Sequence, residues 1–312
     1  MITSPIWLPA TLIAGGLQAW RTAVQRHVGK TLSVNAAGLV RYLYGVPFAL
    51  ALLALYHGLI RPAPLPAMSA EGIAFCAAAG LAQIIATNLM LMTFSQRNFV
   101  VGTAYAKTEA AQGAIISWIL LGDTLSPLAW GGIAAGVIGV MILSTDGKRM
   151  GLADFLRALG APAARYGLAS GLFFALTAVG IRRATMDVAT PDPISAALVT
   201  LAVTVMLQTL MQGAYLLWRE PDQLRAVFTT WRVSGQVGLL SSLGSACWFT
   251  GFATAPIALV RIVGQIEIIF TLSLAHFYLR EPLRRSEVLG LLLVASGVLL
   301  ALVGAYSGTA MD

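Results

Sequence analysis

The sequence predicts an all-α integral membrane protein of ten transmembrane helices, arranged as two inverted five-helix repeats. Three observations carry that reading. Of 312 residues, 58% are hydrophobic and 11% charged, with a mean hydropathy of +0.80, whereas soluble domains carry about 25% charged residues. Apolar runs near the bilayer-spanning length of about 20 residues follow one another with short gaps. The two halves of the chain also match each other at a nearly fixed offset.

The first half places spans near 6–25, 37–59, 72–94, 100–121 and 125–144, and the second near 164–184, 194–217, 234–254, 257–279 and 286–306. Barrel strands alternate over about ten residues, but segments such as Leu289 to Val303 are apolar all round, so the spans are helices. Met1-Ile2-Thr3-Ser4-Pro5 carries no basic residue, and the first run reads as an uncleaved span rather than a signal peptide. In the second span Pro47 follows Gly45, which predicts either a static kink or a bend suited to a moving gate. No GxxxxGK[ST] run occurs and no soluble domain is expected beside the spans, which argues against ATP-driven pumping by this chain alone.

The longest connection, 146–163, holds Lys148, Arg149, Asp154 and Arg157 beside Gly151, Gly160 and Pro162, and divides the chain into repeats at 1–145 and 164–312. An offset of 158 pairs Gly80 with Gly238, Leu81 with Leu239, Phe94 with Phe252, Glu109 with Glu267 and Leu121 with Leu279. It also pairs Leu125 with Leu283, Gly132 with Gly290 and Gly139 with Gly297. At 155, Gly16-Leu17 and Thr22-Ala23-Val24 meet Gly171-Leu172 and Thr177-Ala178-Val179. Matches strung along several spans indicate duplication. With an odd number of spans per repeat, the second copy enters the membrane in the opposite orientation, which is a carrier's architecture.

The stretch Leu121-Gly122-Asp123-Thr124-Leu125 recurs as Leu279-Arg280-Glu281-Pro282-Leu283, and each copy leads into a glycine-bearing helix, Gly132 to Gly139 and Gly290 to Gly297. In these features the chain resembles, over nearly its whole length, the EamA-type members of the drug/metabolite transporter superfamily. The resemblance implies a multi-pass protein of the cell inner membrane that transports solutes and keeps both termini in the cytoplasm. Members often carry a Glu-Pro pair on the fourth span of a half; here Glu109 and Glu267 fit the Glu, while Ala110 and Ile268 stand where the Pro would be.

Charge distribution points the other way on orientation. Of the 20 basic residues, thirteen lie in loops following odd-numbered spans, from Arg26 and Lys30 to Arg284 and Arg285, and only Arg61, Arg182 and Arg183 follow even-numbered ones. Positive-inside anchoring then puts the odd loops in the cytoplasm and both termini outside. The same scatter of basic residues argues against a nucleic-acid partner. Cys76 and Cys247 sit in apolar runs without CxxC spacing or a nearby His, so neither a disulfide nor a zinc site is indicated, and no cofactor is expected.

Four basic residues fall inside spans: Arg21, Arg41, Lys107 and Arg261. A charge at a helix centre costs roughly 2.5 to 3.5 kcal/mol on insertion scales, so Lys107, Glu109, Arg261 and Glu267 need compensation. One reading is structural, with Glu109 paired to Arg261 and Lys107 to Glu267. The other is a polar binding cavity. On continuous helices Lys107 and Glu109 point about 200 degrees apart, and Arg261 and Glu267 about 240 degrees. The repeat offset matches Thr103 with Arg261 and Lys107 with Gln265, which makes Thr103, Lys107, Arg261 and Gln265 the expected solute-binding face. Lys107 and Arg261 would hold an anionic group. Glu109 and Glu267 would look sideways, toward Arg21, Arg41 or a proton, and serve in proton coupling.

Arg41, beside Tyr42 and Tyr44, either contacts solute or snorkels to the headgroups. Gln18 and Arg21 line the cavity or pack against a helix, Tyr105, Trp118 and Trp248 shape an aromatic pocket or pack, and His276 beside Tyr278 reads as interfacial. Glycines 132, 136, 139, 290, 297 and 304 let helices approach closely, within the chain or in a homodimer. The expected function is secondary transport of a small polar metabolite, anionic or zwitterionic, such as an amino acid or an organic anion, by alternating access, with a proton as candidate coupling ion. Beyond the solute and the homodimer alternative, membrane lipids are expected as partners. The alternatives are a lipid scramblase or flippase, which wants an apolar lateral groove, and an intramembrane lipid-modifying enzyme. With no HExxH, GxSxG or Asp-rich metal motif, the chain is not expected to be an enzyme.

Overall fold

The structure is a computed structural model that describes every residue except 1, 3, 30, 95–104, 124, 145–161, 271, 272, 274–284 and 308–312. Thr103, His276, Tyr278, most of the connection 146–163 and the loop copy Leu279 to Leu283 lie outside the described residues. All regular elements described are helical: α1 (Trp7–Val28), α2 (Val34–Leu43), α3 (Gly45–Leu55), α4 (Ala70–Phe94), α5 (Glu109–Leu121), α6 (Pro127–Ser144), α7 (Pro162–Asp187), α8 (Pro193–Arg219), α9 (Pro221–Thr229), α10 (Trp231–Thr254), α11 (Ile257–Gly264) and α12 (Arg285–Ser307). A π-helical turn, Tyr56–Ile60, extends α3.

Helical chain lies in each of the predicted apolar runs. Among the described residues, four helical stretches are both long and apolar enough to cross a bilayer: Val34–Ile60, Ala70–Thr93, Pro162–Asp187 and Pro193–Arg219. Shorter apolar helices occupy Glu109–Leu121, Pro127–Ile142 and Leu289–Gly304. Local chemistry sets several boundaries. Ser33 Oγ accepts from Ala36 N at 3.2 Å to start α2, and Asp192 accepts from Ile194 N at 3.2 Å with Pro193 behind it to start α8. Gly122, with φ 68°, ends α5 in the left-handed conformation that glycine tolerates. Short, amphipathic α9 was not expected from the apolar runs. It buries Val227 and leaves Asp222 and Arg225 exposed.

The second predicted span is interrupted at Tyr44, where α2 ends and α3 begins. Pro47 has no N–H to give the Leu43 carbonyl four residues back, so the ladder fails there. A bend at this point was expected.

The chain forms two compact units, each drawn from two segments: one from Ile85–Leu176 with Pro256–Asp312, the other from Ile2–Ile84 with Thr177–Ala255. In the first, α6 packs against α12 through the predicted glycines. A Cβ on Gly132 would lie 2.5 Å from the Gly297 carbonyl oxygen, and one on Gly139 would lie 2.8 Å from Val294 N. These glycine faces are therefore used within the chain. Ile133, Val140, Ile257, Ile262 and Val294 fill the interior, and Ser126 Oγ donates to Gly304 O at 2.9 Å.

In the second unit α1 and α8 pack on α10, and α8 also holds α2 and α3. Trp7, Leu39, Val40, Tyr42, Ile181 and Leu216 are fully or almost fully buried. Gly238 sits against the Tyr44 backbone, where any side chain would collide with the helix break. Polar contacts tie the loops together: Asn35 Nδ2 donates to Glu220 Oε1 at 2.7 Å, Tyr56 OH to Asp192 Oδ2 at 2.6 Å, and Ser69 Oγ to Asp187 Oδ1 at 2.8 Å. On both units large apolar side chains face outward, among them Leu59, Trp118, Ile119, Leu210, Leu217, Leu292 and Leu299. Apolar surface on this scale belongs in lipid.

Buried charges and polar pocket

In the first unit the chain is helical at Tyr105 and Ala106, turns at Lys107 and Thr108, and resumes as α5 at Glu109. Likewise α11 ends at Gly264, the chain turns at Gln265 and Ile266, and helix resumes at Glu267. Residues 107, 108 and 109 plus 158 are 265, 266 and 267, so the two interruptions fall in the same register of the internal match. Both are tightened turns. Thr108 N donates to Tyr105 O at 3.1 Å, Gln265 N to Ile262 O at 3.2 Å and Ile268 N to Gln265 O at 3.0 Å, bonds that reach three residues back instead of four. Thr108 has ψ −3° and Gln265 ψ −13°, against about −42° in an α-helix. No proline is needed: Thr108 Oγ1 donates to the Tyr105 carbonyl at 2.6 Å and competes for the helical acceptor.

These breaks invalidate the helical-wheel estimate, which assumed continuous helices. Arg21 and Arg41, the expected partners of Glu109 and Glu267, belong to the second unit, and both glutamates find basic partners within the first. Lys107 Nζ lies 3.1 Å from Glu267 Oε2, and Arg261 Nη1 lies 3.4 Å from Glu109 Oε1, with all four side chains less than 20% exposed. Arg261 Nη2 also donates to Phe174 O at 3.1 Å. The pairing weighed on sequence as the structural alternative is thus the one present, and the quartet carries no net charge. Beside it, Gln265 is 6% exposed, and neither its Oε1 nor its Nε2 has a partner among the described residues. Its side chain lies against Gly136, where a Cβ would meet Oε1 at 2.7 Å. Tyr105 is fully buried.

In the second unit Arg41 sits in the last turn of α2, buried rather than snorkelled. It lines a narrow pocket with Gln83, Gln208, Ser241 and Phe249. Gln208 Nε2 donates to Gln83 Oε1 at 2.7 Å, and Ser242 Oγ to Gly45 O at 2.8 Å. The amides were not singled out from sequence, although a glutamine inside an apolar run was the available signal. Gln18 Oε1 accepts from Trp248 Nε1 at 3.0 Å, and Trp248 stacks on Phe252 at 5.9 Å, which is packing. Trp118, 57% exposed, faces outward.

Helices with apolar outer faces, enclosing paired charges and interrupted beside those charges, define a membrane-embedded helical protein. Residues 162–303 match the EamA-like transporter family. Over that stretch the chain is similar to this family, which is one of the drug/metabolite transporter superfamily of membrane transporters. One solved crystal structure, 14% identical, superposes with a TM-score of 0.68 over 96% of this chain and 98% of its own, which shows that the fold extends across both halves. No curated protein matches the sequence.

Proposed function

We propose that the protein is a secondary carrier of ten spans in two inverted repeats, moving a small polar metabolite, anionic or zwitterionic, by alternating access with a proton as the coupling ion. The observation that carries this reading is the charge quartet at two matching helix interruptions. Interrupted helices at corresponding points of two repeats are where carriers of this architecture bind cargo, because the freed backbone groups and nearby side chains face the solute. The shared register of the breaks supports the repeat reading as well.

The ion pairs suggest how proton and solute are coupled. With both carboxylates ionised, Lys107 and Arg261 are neutralised and have little attraction for an anion. Protonation of Glu267 or Glu109 releases the facing cation, which then takes an anionic group of the solute, while Gln265 supplies a donor and an acceptor and Tyr105 completes the face. Loss of the proton on the other side re-forms the pair and expels the solute.

Uptake into proteoliposomes, screened over amino acids, phosphorylated metabolites and organic anions with and without a pH gradient, tests this. Transport is expected only with the gradient, and Glu109→Gln or Glu267→Gln should abolish its dependence on pH. If both variants transport at the wild-type rate with unchanged pH dependence, the proton role is wrong.

A further inference from the structure

We propose that the elbow between α8 and α10 is a headgroup site for an anionic phospholipid, with the lipid phosphodiester held on Arg232. Neither the site nor its test depends on the transport reading. The outward apolar face of α8, with Leu210 and Leu217, ends in Trp218, 74% exposed, and Arg219; α10 opens on Trp231, 58% exposed, and Arg232. Aromatic rings and arginines at the ends of membrane helices mark headgroup depth. Short α9 joins these two ends with Val227 buried and Arg225 and Phe228 exposed, the pattern of a helix lying along the interface.

Charge complementarity names the occupant. Both carboxylates of the elbow are engaged: Glu220 accepts from Ser33 Oγ and Asn35 Nδ2, and Asp222 faces Arg225 at 3.6 Å. Arg219 and Arg232 meet no carboxylate among the described residues. Each lies over the ring of the tryptophan before it, with Cζ 4.5 Å from the centre of Trp218 and 5.4 Å from that of Trp231. A guanidinium stacked on a ring keeps its edge for the two-pronged bond to a phosphate. Arg232 also borders a cavity of about 440 Å³ with Val28, Thr31, Thr229 and Trp231. The hydroxyls of Thr31 and Thr229 donate to the Val28 and Ala226 carbonyls at 3.0 and 2.8 Å, so it is the Arg232 guanidinium that faces an anion there. The cavity admits a phosphodiester with its glycerol, and the exposed rings of Phe228 and Trp231 offer apolar surface to the first acyl carbons.

Titration of the full chain in detergent with dioleoylphosphatidylglycerol or dioleoylphosphatidylcholine, read by native mass spectrometry, tests the site. The first phosphatidylglycerol should bind about tenfold more tightly than phosphatidylcholine, and Arg232→Gln should weaken it about fivefold, the usual contribution of one interfacial arginine. Arg219→Gln combined with Arg232→Gln should erase the preference. Thr31→Trp, at an exposed position, fills the cavity, keeps every charge and should weaken the same lipid as much as Arg232→Gln does. Arg183→Gln is the control: that arginine also lies over a ring, Phe75 at 5.8 Å, but has Glu71 at 3.6 Å, and its loss should leave binding unchanged. Equal retention of the two lipids, unchanged binding by Arg232→Gln or by Thr31→Trp, or a loss in Arg183→Gln as large as in Arg232→Gln overturns the proposal. Displacement of the lipid by millimolar inorganic phosphate overturns it too, since the site would then serve a soluble anion.

Discussion

Lys107 and Glu267 show what a buried charge requires of its neighbours. Removing one member of a buried pair leaves the other unsatisfied and typically costs about 3–5 kcal/mol, whereas replacing both by neutral groups costs far less. Lys107→Gln and Glu267→Gln are therefore each expected to destabilise the protein by about that amount, and the double variant much less, measured by thermal unfolding in detergent. The pair Arg261 and Glu109 should behave differently, because Arg261 also donates to the Phe174 carbonyl at 3.1 Å. Its double neutral variant also gives up that bond and recovers less stability. Equal recovery in the two cycles would contradict this distinction. At this scale the residues were legible in the sequence, since a lysine, an arginine and two glutamates in apolar runs have few innocent explanations. Which of them meet was decided by backbone geometry that the residue types do not announce.

That geometry belongs to the helices. The expectation of continuous helices over 100–121 and 257–279 rested on unbroken hydropathy and on the absence of the family's proline at Ala110 and Ile268. The breaks arise instead from three-residue hydrogen bonds at Thr108 and Gln265, helped by the Thr108 hydroxyl, and hydropathy does not register them. Where the cause was a proline, at Pro47, the interruption was legible. So was the approach of α6 to α12, since glycines spaced along two helices mean close backbones. Gly139→Leu should accordingly be disruptive, because its side chain would enter space held by Val294 N and the Gly290 carbonyl oxygen at 2.8 and 2.9 Å. Overpacking costs about 1–3 kcal/mol where side chains can yield, and backbone yields less, so the loss should reach or exceed that range. Gly131, on the same helix, has nothing within 4 Å of a built Cβ. Gly131→Ala should be neutral or stabilising by up to about 1 kcal/mol, through helix propensity alone. Unfolding temperatures of the two variants check the contrast, and similar losses would mean that the glycine contacts do not hold these helices together.

For the molecule as a whole, the distribution of basic residues makes a claim about topology that can be tested without knowing the solute. Loops after odd-numbered spans hold thirteen of the 20 basic residues and loops after even-numbered spans three, so the odd loops are predicted to face the cytoplasm. Two exposed positions in the second unit report the two kinds of loop. Arg225, on α9 after the seventh predicted span, has a side chain 84% exposed, and Ala63, after the second, is also exposed. The native cysteines would interfere little, since Cys76 is buried and Cys247 half-buried, and both can first be replaced by alanine. In cells, Ala63→Cys should react with a membrane-impermeant thiol reagent added outside, and Arg225→Cys only after the membrane is opened. The reverse pattern would place both termini in the cytoplasm and show that the charge count misreads this chain. Labelling of both positions from the same side would break the alternation of loops, and with it the assignment of five crossings to each half on which the inverted repeat depends.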